Sequence, residues 1–261
     1  MKYGFIGCGN MGGALARAVA KTTKDILLTD RSGKARELAE ELGCGYGTNI
    51  QAAGQCERIF LGVKPHMMES VLEPLKPVLQ ERKPLLISMA AGLEIGKIER
   101  FAGGNIGVVR IMPNTPVAAG AGVVLYCRNS LVEEDVLSQL LHDLRFAGQA
   151  DELEERLMDA GSALSGCGPA YLYMMIEAMA DGAVCCGIPR AKALEYAAAT
   201  MAGAGQMVLA THQHPGQLKD AVCSPGGSTI AGVRALEEQG FRGAVMDAVI
   251  AAYHRNQELG K

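Results

Sequence analysis

The 261-residue sequence has no tryptophan and only five phenylalanines, and aromatic residues make up just 5% of it. Platforms for stacking bases are therefore scarce, and no basic stripe interleaves with the few that exist. With 25 basic against 28 acidic residues the formal charge is −3, which sets up no field to draw in a polyanion. No nucleic-acid partner is expected. The eight cysteines (Cys8, Cys44, Cys56, Cys127, Cys167, Cys185, Cys186 and Cys223) contain no C-x-x-C pair and no His–Cys pattern of a zinc site. Adjacent Cys185 and Cys186 would form only a strained bridge. The expectation is reduced, mostly buried thiols in a cytoplasmic protein, with no metal. Long apolar runs are missing too. The richest stretch, Leu164 to Ile188, is interrupted by Pro169, Glu177 and Asp181, short of the roughly 20 clean residues of a membrane span. Met1 to Ile6 is too short an apolar run for a signal peptide. No membrane association is expected.

What is present is apolar surface: 49% of residues are hydrophobic, enough for a core, and the length suits two domains. Tyr3 to Ile6, Ile26 to Thr29, Arg58 to Val63, Leu85 to Met89, Ile106 to Met112 and Val123 to Cys127 read as strands. Met11 to Ala20, Lys34 to Leu42 and Met67 to Gln80 carry apolar residues at helical spacing. This alternation predicts an α/β fold with a mostly parallel sheet over residues 1–150. From Asp151 the pattern is helical only: Glu152 to Leu164, Pro169 to Cys186, Arg190 to Leu209, Pro215 to Cys223, Thr229 to Gln239 and Phe241 to Leu259. Residues 151–261 are thus expected to be an all-helical domain, its Ala-, Met- and Gly-rich faces suited to close packing within a chain or across a dimer. Met174, Met175 and Met179 are expected to pack in that core or interface.

Glycine makes up about one residue in eight, so Gly7-Cys8-Gly9-Asn10-Met11-Gly12 owes its meaning to context. It follows a strand, opens a helix and begins a βαβ unit, the setting of a dinucleotide-binding loop. Gly7 allows the turn, Gly9 lets backbone approach a pyrophosphate, and Gly12 lets helix and strand pack. At the end of the second strand, Asp30 would bind the ribose hydroxyls of NAD, whereas Arg31 and Ser32 suit a 2′-phosphate. NADPH and NADH both stay open. Gly62-Val63-Lys64-Pro65, Ser88-Met89-Ala90-Ala91-Gly92 and Arg110-Ile111-Met112-Pro113-Asn114-Thr115-Pro116 also sit at strand ends. The small side chains of Ala90 and Ala91 would let a nicotinamide ring lie against the backbone. In the helical half, Ser224-Pro225-Gly226-Gly227-Ser228-Thr229-Ile230 feeds a helix, with Ser228 or Thr229 as its expected cap. Such a turn makes an anion nest for a carboxylate.

Together with Leu164-Ser165-Gly166-Cys167-Gly168-Pro169-Ala170-Tyr171, these motifs resemble the pyrroline-5-carboxylate reductases from end to end. The Ser-Pro-Gly-Gly-x-Thr-Ile run is that family's most distinctive. The resemblance implies a Rossmann-type domain followed by a helical domain that intertwines with a partner's in a homodimer, with dimers able to assemble further. It implies hydride transfer from NAD(P)H to the C=N carbon of 1-pyrroline-5-carboxylate, a small cyclic imine, giving L-proline in the last step of proline biosynthesis. Carried over by position, Ile6, Gly7, Cys8, Gly9, Asn10, Met11, Asn49, Gly62, Val63, Lys64, Pro65 and Ala91 are cofactor contacts, with Asp30 near the adenosine ribose. Glu155, Ser228 and Thr229 match substrate-side positions. Hydride attack on an imine is faster when its nitrogen is protonated or hydrogen-bonded. Thr229 would supply that bond as positioner or relay, because its hydroxyl is too weak an acid to act alone. Gly226 to Thr229 would hold the substrate carboxylate.

The sequence departs from the family pattern at Cys167 and Cys223, where hydroxyl residues are usual, and at Ala221, where some members present an asparagine. His212 and His214, in a polar turn before Pro215, read as a solvated loop in preference to a catalytic histidine. A β-hydroxyacid dehydrogenase shares the Rossmann-then-helical plan but, by resemblance, needs a lysine on the first long helix. None lies between Leu164 and Ile188. The intact nest from Ser224 to Thr229 argues against a noncatalytic nicotinamide sensor.

Overall fold

Every residue of Tyr3–Ile6 (β1), Ile26–Thr29 (β2), Arg58–Leu61 (β4), Leu85–Ser88 (β5) and Val108–Pro113 (β6) is buried. Continuous apolar runs are what a sheet covered on both faces demands. The computed structural model, which describes residues 1–259, adds Gly45–Tyr46 (β3), Gly122–Arg128 (β7) and Gly148–Glu152 (β8). The eight strands run β3-β2-β1-β4-β5-β6-β7-β8, and all neighbours are parallel except the antiparallel β6–β7 pair. Successive residues point to opposite faces. Phe5, Leu28, Ile87, Val109 and Ile111 therefore enter one core, and Ile6, Leu27, Leu61, Leu86 and Met112 the other.

The first core is closed by Asn10–Val19 (α1) and Lys34–Leu42 (α2). Asn49–Gln55 (α3), Met68–Leu72 (α4), Lys76–Arg82 (α5) and Ile95–Ala102 (α6) cover the second. Glu134–Leu144 (α7) returns to the first core. The expected single helix from Met67 to Gln80 is instead broken into short pieces. Pro74 and Pro77 lack the N–H groups that would continue it. Helix α3 has a sequence signal of its own: Thr48 and Gln51 form a reciprocal capping box. In α6, Ile95, Ile98 and Ala102 recur at helical spacing.

The expected helix from Glu152 to Leu164 is also corrected. Glu155–Leu157 is a 3₁₀ turn, Met158–Gly161 is one α turn (α8), and Ser162–Gly166 is a π turn. The chain then divides into two compact units, one of Met1–Cys167 with the C-terminal stretch from Ala252, the other Gly168–Ala251. A boundary after residue 150 falls inside β8. The last two residues of the expected 151–261 domain lie outside the described residues.

The second unit is helical: Gly168–Cys185 (α9), Arg190–Thr211 (α10), Pro215–Ala221 (α11), Ser228–Glu238 (α12) and most of Phe241–Leu259 (α13). Helices α9 and α10 pack side by side, and Tyr171 on α9 donates its hydroxyl to the Ala248 carbonyl at 3.2 Å. Yet little is buried: Pro169 and Ala180 on α9, Ala193 and Ala197 on α10, and nothing on α11 or α12. Met174 is 69% exposed, Leu209 66%, Met246 60% and Ile250 51%, so the methionines of α9 fill no core within this chain. Among the described residues, no helix is long and apolar enough to cross a membrane.

Candidate functional site

Strand order reverses at β1, since β2 and β3 lie on one side and β4 onward on the other. Open α/β sheets bind ligands at the carboxyl ends of strands at such a point. There the glycine loop leaves β1. Gly7, at φ +99, donates its N–H to the Thr29 carbonyl at 2.9 Å, and Gly62 donates to the Ile6 carbonyl at 2.8 Å. The helix that follows is capped by Gly9 with no side-chain hydrogen bond and has no acidic residue in its first turn. Its leading N–H groups therefore face outward with the positive end of the helix dipole, a receptor for phosphate.

These groups line a cleft of about 450 Å³ bounded by Gly9 to Gly12, Gly62 to Pro65, and Met89 to Ala91. Three segments remote in sequence, each expected to touch cofactor, meet in one hollow. Met89, which the sequence placed in the third segment without a contact of its own, lines the hollow beside Ala90 and Ala91. Lys64 is exposed on the rim, whereas Ile6 and Cys8 are buried and are not among the lining residues. Burial, with the nearby charge of Asp30 second, pushes the Cys8 thiol up to about 12. It stays neutral there and adds no negative charge beside a pyrophosphate. Burial likewise holds Cys127 up to about 12 and Cys56 up to about 11. All eight cysteines are free, but Cys185 and Cys186 are exposed, so burial is less general than expected.

Asp30, Arg31 and Asn49 lie past the end of β2, off the cleft wall. Asn49 Oδ1 accepts from Thr29 Oγ1 at 2.5 Å, tying α3 to β2. The Asp30 carboxylate accepts three hydrogen bonds, from Ser32 Oγ at 2.8 Å and from the Gly33 and Ala35 N–H groups at 3.0 Å each. It therefore caps the entry to α2, while Arg31 and Lys34 stay exposed.

Glu155 has a committed local environment. Its Oε1 accepts from the Ile95 N–H at 2.7 Å, at the start of α6, and lies 3.7 Å from Arg110. Arg110 is 2% exposed and bonds Asp159 at 3.0 Å. In the helical unit, the expected side-chain cap of α12 is corrected. Gly227 is the N-cap with no side-chain bond, and Ser228 and Thr229 are already in the first turn. The turn closes through the Gly227 N–H to the Ser224 carbonyl at 3.0 Å, with Gly226 at φ +69. The first N–H groups of α12 are thus left to a ligand or solvent. A hollow of about 410 Å³ runs beside them, lined by Gly226, Gly227, Ile230, Ala231, Arg234, Ala235 and Glu238. Among the described residues, no group of three or more His, Cys, Asp or Glu is gathered as a metal site would require.

Residues 155–259 match the family model described as pyrroline-5-carboxylate reductase dimerisation, and residues 2–92 match that of NADP oxidoreductase, coenzyme F420-dependent. The chain is 40% identical to the pyrroline-5-carboxylate reductase of Synechocystis sp., across 100% of this chain and 99% of the relative.

The chain belongs to the pyrroline-5-carboxylate reductase family.

It is an NAD(P)-dependent oxidoreductase with an N-terminal Rossmann-type domain and a helical C-terminal domain, as the sequence led us to expect. Solved structures agree. The Coxiella burnetii pyrroline-5-carboxylate reductase superposes with a TM-score of 0.91 at 33% identity, covering 100% of this chain and 98% of that one. The Plasmodium falciparum pyrroline carboxylate reductase, solved with NADP bound, gives 0.88 at 35% identity over the same shares.

Proposed function

We propose that this chain reduces 1-pyrroline-5-carboxylate to L-proline with NAD(P)H, the last step of proline biosynthesis, in the cytoplasm. The observation that carries the reading is the single cleft at the switch point, where the unsatisfied N–H groups of α1, the Gly62–Pro65 turn and the small Ala90 and Ala91 line one wall. They fit a dinucleotide: the helix start takes the pyrophosphate and the alanines leave room for a flat ring. Bound there, a reduced nicotinamide supplies the hydride that goes to the imine carbon. The start of α12 holds the substrate carboxylate on its free N–H groups, and Thr229 gives the imine nitrogen a hydrogen bond. The nitrogen takes its proton from solvent or arrives already protonated. At the ribose end, Asp30 uses three of roughly four acceptor sites within its own loop. Arg31, Ser32 and Lys34 then receive a 2′-phosphate, and NADPH is the better donor.

The test is a kinetic comparison of NADPH and NADH oxidation with the cyclic imine, on wild type and Thr229→Val. Imine-dependent turnover, higher with NADPH, is expected. Thr229→Val should keep cofactor affinity and lose turnover about a hundredfold. Oxidation with hydroxy or keto acids but none with the imine would overturn the reading in favour of a β-hydroxyacid dehydrogenase. An NADH preference would show that Asp30 turns to the ribose.

The uncovered apolar side chains of α9, α10 and α13 support a homodimer built on the helical unit. Light scattering is expected to give at least twice the 27.5 kDa chain mass, with further assembly of dimers adding to it. A fully active monomer would end that part of the proposal.

A further inference from the structure

Arg110, Met112 and Asn114 alternate onto one face of β6 and its extended continuation, and all three reach the segment 155–166. Arg110 bonds Asp159, Met112 shares a core with Met158, and Asn114 Nδ2 donates to the Ser165 carbonyl at 2.9 Å. The last bond answers a specific deficit. In an α-helix the Ser165 carbonyl would accept from the N–H four residues on, but that residue is Pro169, which has none. The chain widens there into the π turn, and the Cys167 N–H reaches back five residues to Ser162 at 3.1 Å. Such turns recur at functional positions in helices. Asn114 is 7% exposed and uses both ends of its amide, since Oδ1 accepts from the Val123 N–H at 2.9 Å.

We propose that Asn114 is a positioning residue for the reductase reaction. It stands in for the donor that Pro169 lacks, holds the π turn, and so fixes the register in which α9 begins. A helix turns about 100° per residue. Losing the extra residue of the π turn would rotate the side chains of the Leu164–Tyr171 motif that follow it. The Arg110–Pro116 motif thus acts through the Leu164–Tyr171 motif and not by touching cofactor or substrate. The proposal rests on the reductase reading above.

A double-variant cycle tests it. Asn114→Ala is expected to lower kcat for imine reduction about tenfold, the equivalent of leaving one buried acceptor unsatisfied. The Kd for NADPH should stay within about twofold, because its cleft lies elsewhere. Asn114→Asp keeps an acceptor for Val123 but turns an oxygen toward Ser165, so it should fall at least as far. Pro169→Ala supplies the missing N–H. In that background, whatever its own kcat, Asn114→Ala should cost little further. An equal loss with and without Pro169, or a wild-type Asn114→Asp, would overturn the proposal. Hydrogen exchange over residues 162–170 in the same variants separates two failures. Exchange that rises in Asn114→Ala and is restored in the double variant supports the clamp on its own, whereas a wild-type protein inert toward the imine removes the reductase reading and the catalytic role with it.

Discussion

Gly12→Ala is expected to lower the melting temperature by on the order of 10 °C and to abolish measurable cofactor binding. A Cβ at Gly12 would stand 2.2 Å from the Gly7 carbonyl oxygen, and one at Gly62 would stand 2.3 Å from the same atom. Both contacts are with backbone, and Gly7 is held at φ +99 between β1 and β4, so no side-chain rotation relieves them. The strand and the helix must part, at a cost of about 3 kcal/mol or more. Parting them also moves the helix start away from the phosphate position. Gly9→Ala is the informative contrast. Its φ is −68, and no heavy atom lies within 4 Å of the added methyl. Its melting temperature should match wild type, while its Kd for NADPH rises at least about tenfold because the methyl enters the cleft. Thermal unfolding and a fluorescence titration separate the two effects. Unchanged affinity in Gly9→Ala would show that the pyrophosphate lies elsewhere, and an unchanged melting temperature in Gly12→Ala would show that the β1–α1 approach is soft.

The features most legible in the sequence were those that repeat locally. The buried strands announce themselves as apolar runs, and the glycine loop needs only its place after the first of them. Helices α9 to α13 begin and end within about two residues of expectation, because glycine, proline and the alanine-rich faces punctuate them. What stayed hidden depends on partners far along the chain. β8 reads Gly-Gln-Ala-Asp-Glu, an edge strand without an apolar run, and only its pairing with β7 makes it a strand. At the site, the sequence named the cleft-lining residues but not how they are spent. Asp30 turns its carboxylate into its own loop, and Glu155 caps α6 and lies beside Arg110. Asn114 sits in a motif that looked like a ligand-binding strand end, yet both ends of its amide bond the protein's own backbone. Carboxylates and amides advertise chemistry in a sequence. Which of them serve the scaffold is decided by contacts that no local pattern encodes.

Asp143→Asn is expected to destabilise the first unit by about 2–3 kcal/mol at pH 7, and the cost should shrink in acid. Asp143 lies on α7 and is 2% exposed. It accepts from the Tyr3 hydroxyl at 2.6 Å and from Gln139 at 3.2 Å, and pairs with Lys2 at 2.8 Å. Burial pushes its pKa upward, but the hydrogen bonds from Lys2, Tyr3 and Gln139 outweigh it and leave the carboxyl below its ordinary range. A group whose pKa is lowered by folding contributes stability above its unfolded pKa and loses it as pH falls through the folded value. The gap between wild type and variant should therefore be constant from about pH 7 to pH 5 and narrow below about pH 4. Tyr3 does not blur this, since burial first and Asp143 second drive its phenol far up and keep it protonated throughout. Because Lys2 is 28% exposed, its share is screened, and the buried Tyr3 bond carries most of the effect. Tyr3→Phe should accordingly reproduce a large part of the loss at pH 7 and share part of its acid dependence, because the Tyr3 bond helps hold the Asp143 carboxyl below its ordinary range. Urea unfolding at about pH 7, 5 and 3 makes the comparison. A gap that widens in acid, or a Tyr3→Phe variant as stable as wild type, would mean that α7 is held to the first strand by apolar packing alone.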